Sequence, residues 1–459
     1  MAKKCKTVFV CQECGYESSK WQGRCSCGAW NSFVEEKPID FIDDVRSRNT
    51  DNITRVKSVK LKEIKTDDRQ DRIDTKIGEF NRVLGGGVVR GSLTLISGEP
   101  GIGKSTIIMQ SSNNIAKQGL KVLYVSGEES ANQLKMRASR ICSEISDNLM
   151  VMAETNIENI FDVIKEIKAD FLIVDSIQTL YSSGLDSAPG SVSQVRHCGN
   201  ELMRIGKAYN IPIFIVAHVT KSGELAGPKI VEHLVDCVLY FSGERNHELR
   251  ILRAYKNRFG TTSEIGAFEM DESGLVEIEN LSQAFISDRD CDTEGAILTG
   301  VYEGSRPMLL EVQALTASNK AGFARRTAIG VDVSRLNMLL AVLERKMDIT
   351  LSYEDVYVNI VGGIKPEGTY IDLALIFAIY SSYRNKKIDS KTIAIGEVGL
   401  TGEVRNVPNT DKIIKEASRM GVKNIVLPNI SVKKLKDNIK GVNLIGVSDL
   451  RQAIDILFN

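Results

Sequence analysis

The stretch GEPGIGKS, residues 98–105, has the glycine, lysine and serine spacing of a phosphate-binding loop. It follows an apolar run, 93–97, that predicts a buried strand, and it precedes a segment with helical spacing that should end near Gly119. Backbone N–H groups of such a loop can wrap phosphate oxygens, while the lysine amine reaches the β and γ phosphates and the serine hydroxyl ligates magnesium. The sequence therefore predicts an ATP and Mg²⁺ site, made by Gly98, Glu99, Pro100, Gly101, Ile102, Gly103, Lys104, Ser105 and Thr106.

Polar residues end the predicted strands that follow this loop. Glu128 and Glu129 end KVLYVSGEES, Asp175 ends the apolar part of FLIVDS, and His218 ends IPIFIVAH. Open α/β sheets bind ligands at the carboxyl ends of their strands. We therefore expect Asp175 to ligate magnesium or its water, and Glu128, or else its neighbour, to position or deprotonate the attacking water beside Lys104. His218 is compatible with a γ-phosphate contact and equally with a structural role.

Five of the nine cysteines lie in the first 27 residues. The pairs Cys11/Cys14 and Cys25/Cys27 predict a structural Zn²⁺ site, because close cysteine pairs in a reducing cytoplasm bind zinc far more often than they form disulfides. The second pair is C-x-C, one residue shorter than the C-x-x-C of a zinc ribbon. Two alternatives therefore stay open, a metal-free knuckle and a site that recruits Cys5.

Composition sets the outer bounds. Lys plus Arg equals Asp plus Glu at 59 each, which argues against a nucleic-acid coat or a membrane-surface binder, so any basic patch must be local. No signal peptide and no run of ~18 apolar residues is found, which predicts a cytoplasmic protein without a membrane span. The predicted organisation is a zinc-ribbon-like module at 1–35, a charged linker at 36–54, a nucleotide-binding domain at 55–288 and a further domain at 289–459.

Five stretches together resemble the RadA (Sms) family of bacterial DNA-repair proteins: LGGGVVRGSLTLISGEPGIGKST, YVSGEES, FLIVDS, HVTKSGELAGPK and KNRFG. The resemblance covers essentially the whole chain, and KNRFG is its most specific element. It implies a RecA-like ATPase core that assembles as a ring, expected to be a hexamer, with nucleotide at subunit borders. It also implies that Lys256 and Arg258 lie near the neighbour's ATP or the bound DNA; taken alone, KNRFG could be a cationic β-hairpin tip in solvent.

The stretch HVTKSGELAGPKI carries Lys221 and Lys229 between glycines and a proline, which discourage regular structure. A cationic loop that leaves the sheet beside the nucleotide could touch a DNA backbone in one nucleotide state and release it in another. In the RecA-like family the corresponding loop contacts single-stranded DNA, which makes Lys221 and Lys229 DNA-binding candidates. Lys256 and Arg258 are candidates through the implied position of KNRFG. Lysines on surface loops are common without such a role.

The last third resembles the Lon-protease-like domain of the RadA family, through GEVGLTGEVRNVP and EASRMGVKNIVLP. Lon-type proteolysis needs a serine nucleophile and a lysine that activates it. Here Tyr370 and Ile371 occupy the nucleophile turn, in GTYIDLA, and Asp411 occupies the place of the lysine. The resemblance therefore implies an α+β scaffold without the catalytic dyad.

The expected fold class is α/β, with a RecA-like P-loop ATPase core, a zinc-ribbon-like module and an α+β Lon-protease-like domain. The expected function, by resemblance, is a DNA-dependent ATPase that binds single-stranded and branched DNA and moves branch points, with RecA recombinase as partner. The alternatives are an ATP-dependent protease and a nucleotide-switched binding protein with little turnover.

Overall fold

The computed structural model describes residues 8–11, 16–36, 60, 72–218, 228–243, 249–286, 292–319, 324–361, 365–366, 368–435 and 441–458. These residues fall into two compact units. The first comprises the described parts of 1–242 and 250–277, and the second those of 243–249 and 278–459. Among the described residues, no helix combines the length and apolarity that a membrane span requires.

The amino-terminal module contains a small antiparallel sheet of order β2-β1-β3. Its strands are β1 (Val8–Cys11), β2 (Glu17–Ser18) and β3 (Phe33–Glu36). Its described core consists of Cys11, Cys25 and Phe33, with Phe9 and Ala29 packed against them. A core this small cannot stabilise a fold by apolar burial alone, so the module needs a further stabilising element.

The rest of the first unit alternates strands and helices. In chain order the elements are β4 (Arg72–Ile73), α1 (Gly78–Leu84), β5 (Val88–Val89), β6 (Leu93–Gly98), α2 (Lys104–Lys117), β7 (Val122–Ser126), α3 (Ala131–Ile141), β8 (Leu149–Ala153), α4 (Ile157–Ile167), β9 (Phe171–Asp175), α5 (Val192–Tyr209), β10 (Ile213–His218), α6 (Pro228–Leu234), β11 (Cys237–Ser242), β12 (Leu249–Asn257), β13 (Ile265–Asp271) and β14 (Gly274–Glu277). A short 3-10 turn, Ile177–Thr179, follows β9.

The main sheet of this unit has nine strands in the order β14-β13-β12-β11-β6-β10-β9-β7-β8. From β11 to β8 every neighbouring pair is parallel, whereas β12 pairs with β11 antiparallel. Every residue of β6, β7 and β9 is buried, and separate apolar clusters cover the two faces of the sheet. This explains why these strands read as continuous apolar runs instead of alternating ones. The strands predicted around residues 93–97, 122–126, 171–175 and 213–218 are confirmed.

Helix α3 shows how the sequence sets the local structure next to the phosphate-binding loop. The Ser130 side chain accepts a hydrogen bond from the Gln133 N–H, and the Gln133 side chain accepts one from the Ser130 N–H. This capping box satisfies two N–H groups that would otherwise lack partners at the helix start. Helix α3 therefore begins directly after the acidic end of β7, as the sequence predicts.

The second unit is built on a seven-stranded sheet of order β18-β19-β17-β16-β21-β24-β25. Its elements are α7 (Leu281–Ile286), β15 (Thr293–Glu294), β16 (Ala296–Glu303), β17 (Arg306–Ser318), β18 (Arg326–Ile329), α8 (Val333–Met347), β19 (Glu354–Ile360), α9 (Asp372–Arg384), β20 (Lys387–Ile388), β21 (Thr392–Ala394), β22 (Glu397–Val398), β23 (Val404–Arg405), α10 (Thr410–Arg419), β24 (Asn424–Pro428), α11 (Asn429–Leu435), β25 (Asn443–Val447) and α12 (Leu450–Phe458). Strands β16, β17 and β19 pair antiparallel, while β16, β21, β24 and β25 pair parallel. This mixture of pairings is typical of an α+β domain.

Candidate nucleotide site

The phosphate-binding loop joins the buried strand β6 to helix α2. Gly103 is the N-cap residue of α2, with φ +115°, a left-handed conformation that glycine adopts without strain. A Cβ at this position would lie 2.9 Å from Cε of Met270. A side chain here would strain the backbone and displace the end of the Met270 side chain, so glycine suits this position at the start of the helix.

Lys104 projects into the loop that precedes it. Its Nζ donates hydrogen bonds to the carbonyl oxygens of Gly98 at 2.7 Å and Glu99 at 2.9 Å. Burial lowers the pKa of Lys104 to about 8, against the opposing charges of Asp175, Glu128 and Glu99. The amine thus donates hydrogen bonds to loop carbonyl oxygens. It can donate to phosphate oxygens instead when a nucleotide binds.

Two acids that the sequence singled out converge on this amine. Asp175 is the last residue of β9, and Glu128 follows β7, the strand paired with β9. The Tyr124 hydroxyl donates to Oδ2 of Asp175 at 2.6 Å, and the Ser176 hydroxyl donates to Oε1 of Glu128 at 2.7 Å. Each carboxylate is therefore fixed by one hydroxyl at the carboxyl edge of the sheet, where the loop also lies.

Glu128 and Glu129, which the sequence could not separate, have different surroundings. Glu128 is one of the charges that act on Lys104, and Glu129 is not. Glu129 instead forms an ion pair with Arg137 of α3. The structure thus directs Glu128 toward the loop lysine and holds its neighbour against a helix.

The loop and both acids line one cleft of about 470 Å³. Ser105 and Asp175 lie in the same cleft, so a hydroxyl and a carboxylate, the hard oxygen donors that magnesium prefers, are available together. Sequence reasoning missed four further lining residues: Ser126, Arg137, Arg140 and Met270. They come from three separate elements, β7, α3 and β13, and no spacing in the chain links them to the loop.

The KNRFG segment lies at the opposite end of the same sheet, where the parallel strands begin. Asn257 pairs with Cys237, and Cys237 pairs with Thr94 at the beginning of β6. The phosphate-binding loop begins at Gly98, at the far end of that strand, about 13 Å from Thr94 at the usual rise per residue. Lys256 and Arg258 therefore do not face the nucleotide cleft of their own chain.

Both KNRFG cations have partners in this unit. Nζ of Lys256 donates to the carbonyl oxygens of Glu232 at 2.8 Å and His233 at 3.3 Å, near the carboxyl end of α6, where the helix dipole favours a cation. Burial and the charge of Arg258 lower the pKa of Lys256. Arg258 pairs with the buried Asp236 at 3.2 Å, and its side chain remains 55% exposed.

A close backbone contact fixes the turn after these cations. A Cβ on Gly260 would lie 2.9 Å from Cα of Gly85, the residue that ends α1 in a left-handed conformation. The Arg72 side chain also donates to the carbonyl oxygen of Phe259 at 2.9 Å. The turn that presents Arg258 is thus fixed by backbone contacts, and it joins the neighbouring strands β12 and β13, as the hairpin tip that the sequence left open would.

The other two DNA-binding candidates, Lys221 and Lys229, come after β10, and the structure describes only one of them. Lys221 lies outside the described residues, and Lys229 is the second residue of α6. The backbone of His218 ends β10 opposite Gly98, at the nucleotide edge of the sheet. Strand β10 thus ends beside the phosphate-binding loop.

Three cysteines of the amino-terminal module lie together. The Sγ atoms of Cys11, Cys25 and Cys27 all lie within 4.8 Å of one another, and those of Cys11 and Cys27 are 3.9 Å apart. Thiolates bound to one tetrahedral zinc at about 2.3 Å would be about 3.8 Å apart, so this arrangement suits the ion. The short C-x-C loop brings both of its thiols to Cys11, while Cys14 lies outside the described residues.

The turn that would carry a Lon nucleophile is occupied by a buried ion pair. Ile371 is buried, and the next residue, Asp372, begins α9 and pairs with Arg335 of α8. Arg335 also donates to the Val398 carbonyl oxygen at 3.0 Å, and the Val398 N–H donates to Asp372 at 3.1 Å. Burial raises the pKa of Asp372, and Arg335 opposes that rise. These groups tie three elements together, and none is a serine or a lysine.

Three family models match separate parts of this chain. A family model described as "Rubredoxin metal binding domain" matches residues 9–35, one described as "AAA domain" matches 58–224, and one described as "Subunit ChlI of Mg-chelatase" matches 329–431. The KaiC-like protein of Pyrococcus horikoshii OT3, a solved structure, is 22% identical with a TM-score of 0.39, over 45% of this chain and 98% of that one.

Two curated relatives are similar over nearly their whole length. The DNA repair protein RadA of Bacillus subtilis (strain 168) is 47% identical over 98% of both chains, and that of Streptococcus pyogenes serotype M1 is 47% identical over 100% of both chains.

Fold and site together define a RecA-like P-loop ATPase with a zinc-ribbon-like module before it and a Lon-protease-like α+β domain after it. The fold class predicted from the sequence is confirmed. At this identity and coverage, the chain belongs to the RadA family of DNA repair proteins, as the sequence resemblance implied.

Proposed function

We propose that the protein is a DNA-stimulated ATPase of the cytoplasm that binds single-stranded DNA and moves the branch points of recombination intermediates. The observation that supports its chemistry is the convergence of Lys104, Asp175 and Glu128 in one cleft. Family membership supports the DNA substrate, since the relatives are DNA repair proteins. RecA recombinase, which supplies such intermediates, is the proposed protein partner.

Four residues of the cleft have roles in the proposed hydrolysis. Lys104 holds the β and γ phosphates, and Glu128 orients and deprotonates the attacking water. Ser105 and Asp175 would hold Mg²⁺, which supplies positive charge that neutralises the phosphates. The Ser176 hydroxyl donates to Oε1 of Glu128 and so helps to orient this carboxylate.

Rates of ATP hydrolysis with and without single-stranded DNA test this function. The purified protein should hydrolyse ATP faster when the DNA is present, and Lys104→Ala should remove both rates, which excludes a contaminating ATPase. Equal rates with and without DNA would separate the nucleotide site from the proposed substrate. ATP-dependent degradation of casein would instead favour the protease, although the turn with Asp372 offers it no nucleophile.

A ring accounts for the position of KNRFG. Lys256 and Arg258 lie at the sheet edge away from their own cleft, so they can act on a nucleotide only if a neighbouring subunit brings its cleft to that edge. In a closed ring every subunit does so. We propose a hexamer in which Arg258, the more exposed of the two cations, neutralises charge on the neighbour's ATP or on DNA.

Arg258→Ala should leave ATP affinity within about threefold of the wild type but lower DNA-stimulated hydrolysis and branch migration by about tenfold or more. The reason is that Arg258 lies far from its own cleft and acts in the neighbouring one. Fluorescent-ATP binding and a synthetic four-way-junction assay measure the two effects.

Asp236→Asn is the matched control, because it weakens the pair with Arg258 and keeps the arginine. It should retain branch migration. If Asp236→Asn loses as much as Arg258→Ala, the role of Arg258 is to stabilise its own turn and the assignment fails.

We also propose that the amino-terminal module binds structural Zn²⁺ through Cys11, Cys25, Cys27 and Cys14. Cys25→Ser should lower the zinc content from about one ion per chain to well under half, because a serine hydroxyl is a poor substitute for a thiolate. Plasma emission spectrometry of the dialysed proteins gives the stoichiometry. Cys142→Ser, which changes a thiol outside the cluster, is the control; full zinc content in Cys25→Ser would exclude that residue as a ligand.

A further inference from the structure

Tyr124 lies in the middle of β7, and packing against its apolar neighbours does not explain why it carries a hydroxyl. The side chain is fully buried in an apolar cluster that includes Phe171 and Ile173, where phenylalanine would fill the same space. Its hydroxyl donates to Oδ2 of Asp175 at 2.6 Å. Burial and the Asp175 charge raise the pKa of Tyr124 well above its usual value, so the hydroxyl remains a donor.

A second charged pair stands behind this hydrogen bond. Arg137 of α3 lies near Tyr124, and its positive charge opposes the rise in the pKa of Tyr124. Arg137 also pairs with Glu129. A chain of polar groups thus runs from Glu129 through Arg137 and Tyr124 to Asp175, and it connects α3 with the ends of β7 and β9.

Two buried atoms of this network lack hydrogen-bond partners among the described residues. Nη1 of Arg137 and Oε2 of Glu129 are both buried, and neither has a hydrogen-bond partner there. Leaving such atoms unpaired is costly, so this pair stabilises the fold less than its ion pair suggests. A role at the adjacent site explains better why the chain places charges here.

We propose that Tyr124 is a positioning residue for the metal-binding carboxylate: it holds Oδ2 of Asp175 and directs Oδ1 toward the Mg²⁺ of bound nucleotide, while Arg137 and Glu129 hold the tyrosine. The proposal rests on the proposed function of the cleft as an ATP site. Outer-shell partners of this kind typically contribute about tenfold to a hundredfold to metal affinity.

The experiment measures how much Mg²⁺ tightens nucleotide binding, in the absence of DNA and of hydrolysis. Affinity for N-methylanthraniloyl-ADP is determined by fluorescence in Mg²⁺ and in EDTA, for the wild type, Tyr124→Phe and Tyr209→Phe. In Tyr124→Phe the ratio of the two dissociation constants should fall by about tenfold, with the value in EDTA unchanged. Tyr209→Phe removes the hydroxyl of an exposed tyrosine at the end of α5 and should match the wild type.

A double-mutant comparison separates positioning from a general structural effect. Asp175→Asn should abolish most of the Mg²⁺ effect, and adding Tyr124→Phe to it should cause no further loss, because the hydroxyl acts through Asp175. Additive losses, an unchanged ratio in Tyr124→Phe, or a wild type in which Mg²⁺ does not tighten ADP binding would each overturn the inference. If Tyr124→Phe does not fold, Arg137→Lys replaces it, with a smaller loss of the same ratio expected.

The two proposals can fail separately. Hydrolysis that is indifferent to DNA would contradict the proposed function without changing the ADP measurement. An unchanged Mg²⁺ effect in Tyr124→Phe would contradict the role of the tyrosine in a protein that still responds to DNA.

Discussion

Glu128→Gln should lower the rate of ATP hydrolysis by about a hundredfold to ten-thousandfold while leaving ATP affinity within a few fold, the loss expected when a general base is removed. Glutamine has the shape of glutamate, and its amide oxygen can still accept the Ser176 hydroxyl hydrogen bond. It cannot take a proton from water. Single-turnover hydrolysis and fluorescent-ATP binding separate the chemical step from binding.

Glu129→Gln is the matched control, since it makes the same chemical change one residue away. Glu129 pairs with Arg137 and does not act on the loop lysine, so it reaches the site only indirectly, through Arg137 and Tyr124, and this variant should retain at least about a tenth of the wild-type rate. If Glu129→Gln has the larger loss, the catalytic assignment of the two acids must be exchanged. Equal, severe losses would show that both acids belong to one unit.

The nucleotide site was predictable from the sequence because its chemistry lies in contiguous stretches. The phosphate-binding loop needs glycines, a lysine and a hydroxyl at fixed spacing, and the strands before Glu128 and Asp175 are long apolar runs that parallel sheets require. The choice between Glu128 and Glu129 was not predictable. It depends on which of the two acids forms an ion pair with Arg137 of α3. The structure shows that this acid is Glu129, eight positions before Arg137.

Other features depend on long-range pairing that no local pattern reveals. The placement of Lys256 and Arg258 at the edge opposite the cleft follows from the antiparallel register of β11 and β12. The hydrogen bond from Tyr124 to Asp175 joins two strands 51 residues apart, inside a run that looks purely apolar. The fold class could be derived from strands and helices, whereas these contacts become visible only when the sheet is assembled.

Arg335→Ala should lower the free energy of unfolding of the second unit by about 3–5 kcal/mol, because it leaves the Asp372 carboxylate buried without its counter-ion. Asp372 is 1% exposed and Arg335 is 26% exposed. Urea unfolding of the full-length chain, followed by circular dichroism and by proteolysis of each unit, assigns the loss to the second unit.

Arg405→Ala provides the matched control, because it removes an arginine of the same unit whose side chain is 60% exposed and pairs with Glu403 and Glu397. Exposed pairs contribute little, so this change should cost less than about 1 kcal/mol. Similar losses in the two variants would mean that the Arg335–Asp372 pair carries no special weight in the fold.

The pH dependence of Arg335→Ala tests the same mechanism independently. Burial raises the pKa of Asp372 and Arg335 opposes that rise, so removing the arginine raises this pKa further in the folded state. A carboxyl with a raised folded-state pKa costs stability as the pH rises past its unfolded value, near 4, and that cost disappears when the group is protonated. The deficit of Arg335→Ala should therefore be largest at neutral pH and shrink as the pH falls toward about 4. A deficit independent of pH would instead indicate lost packing of the arginine stem. The stability of the turn that carries the nucleophile in Lon would then not depend on the charge pair.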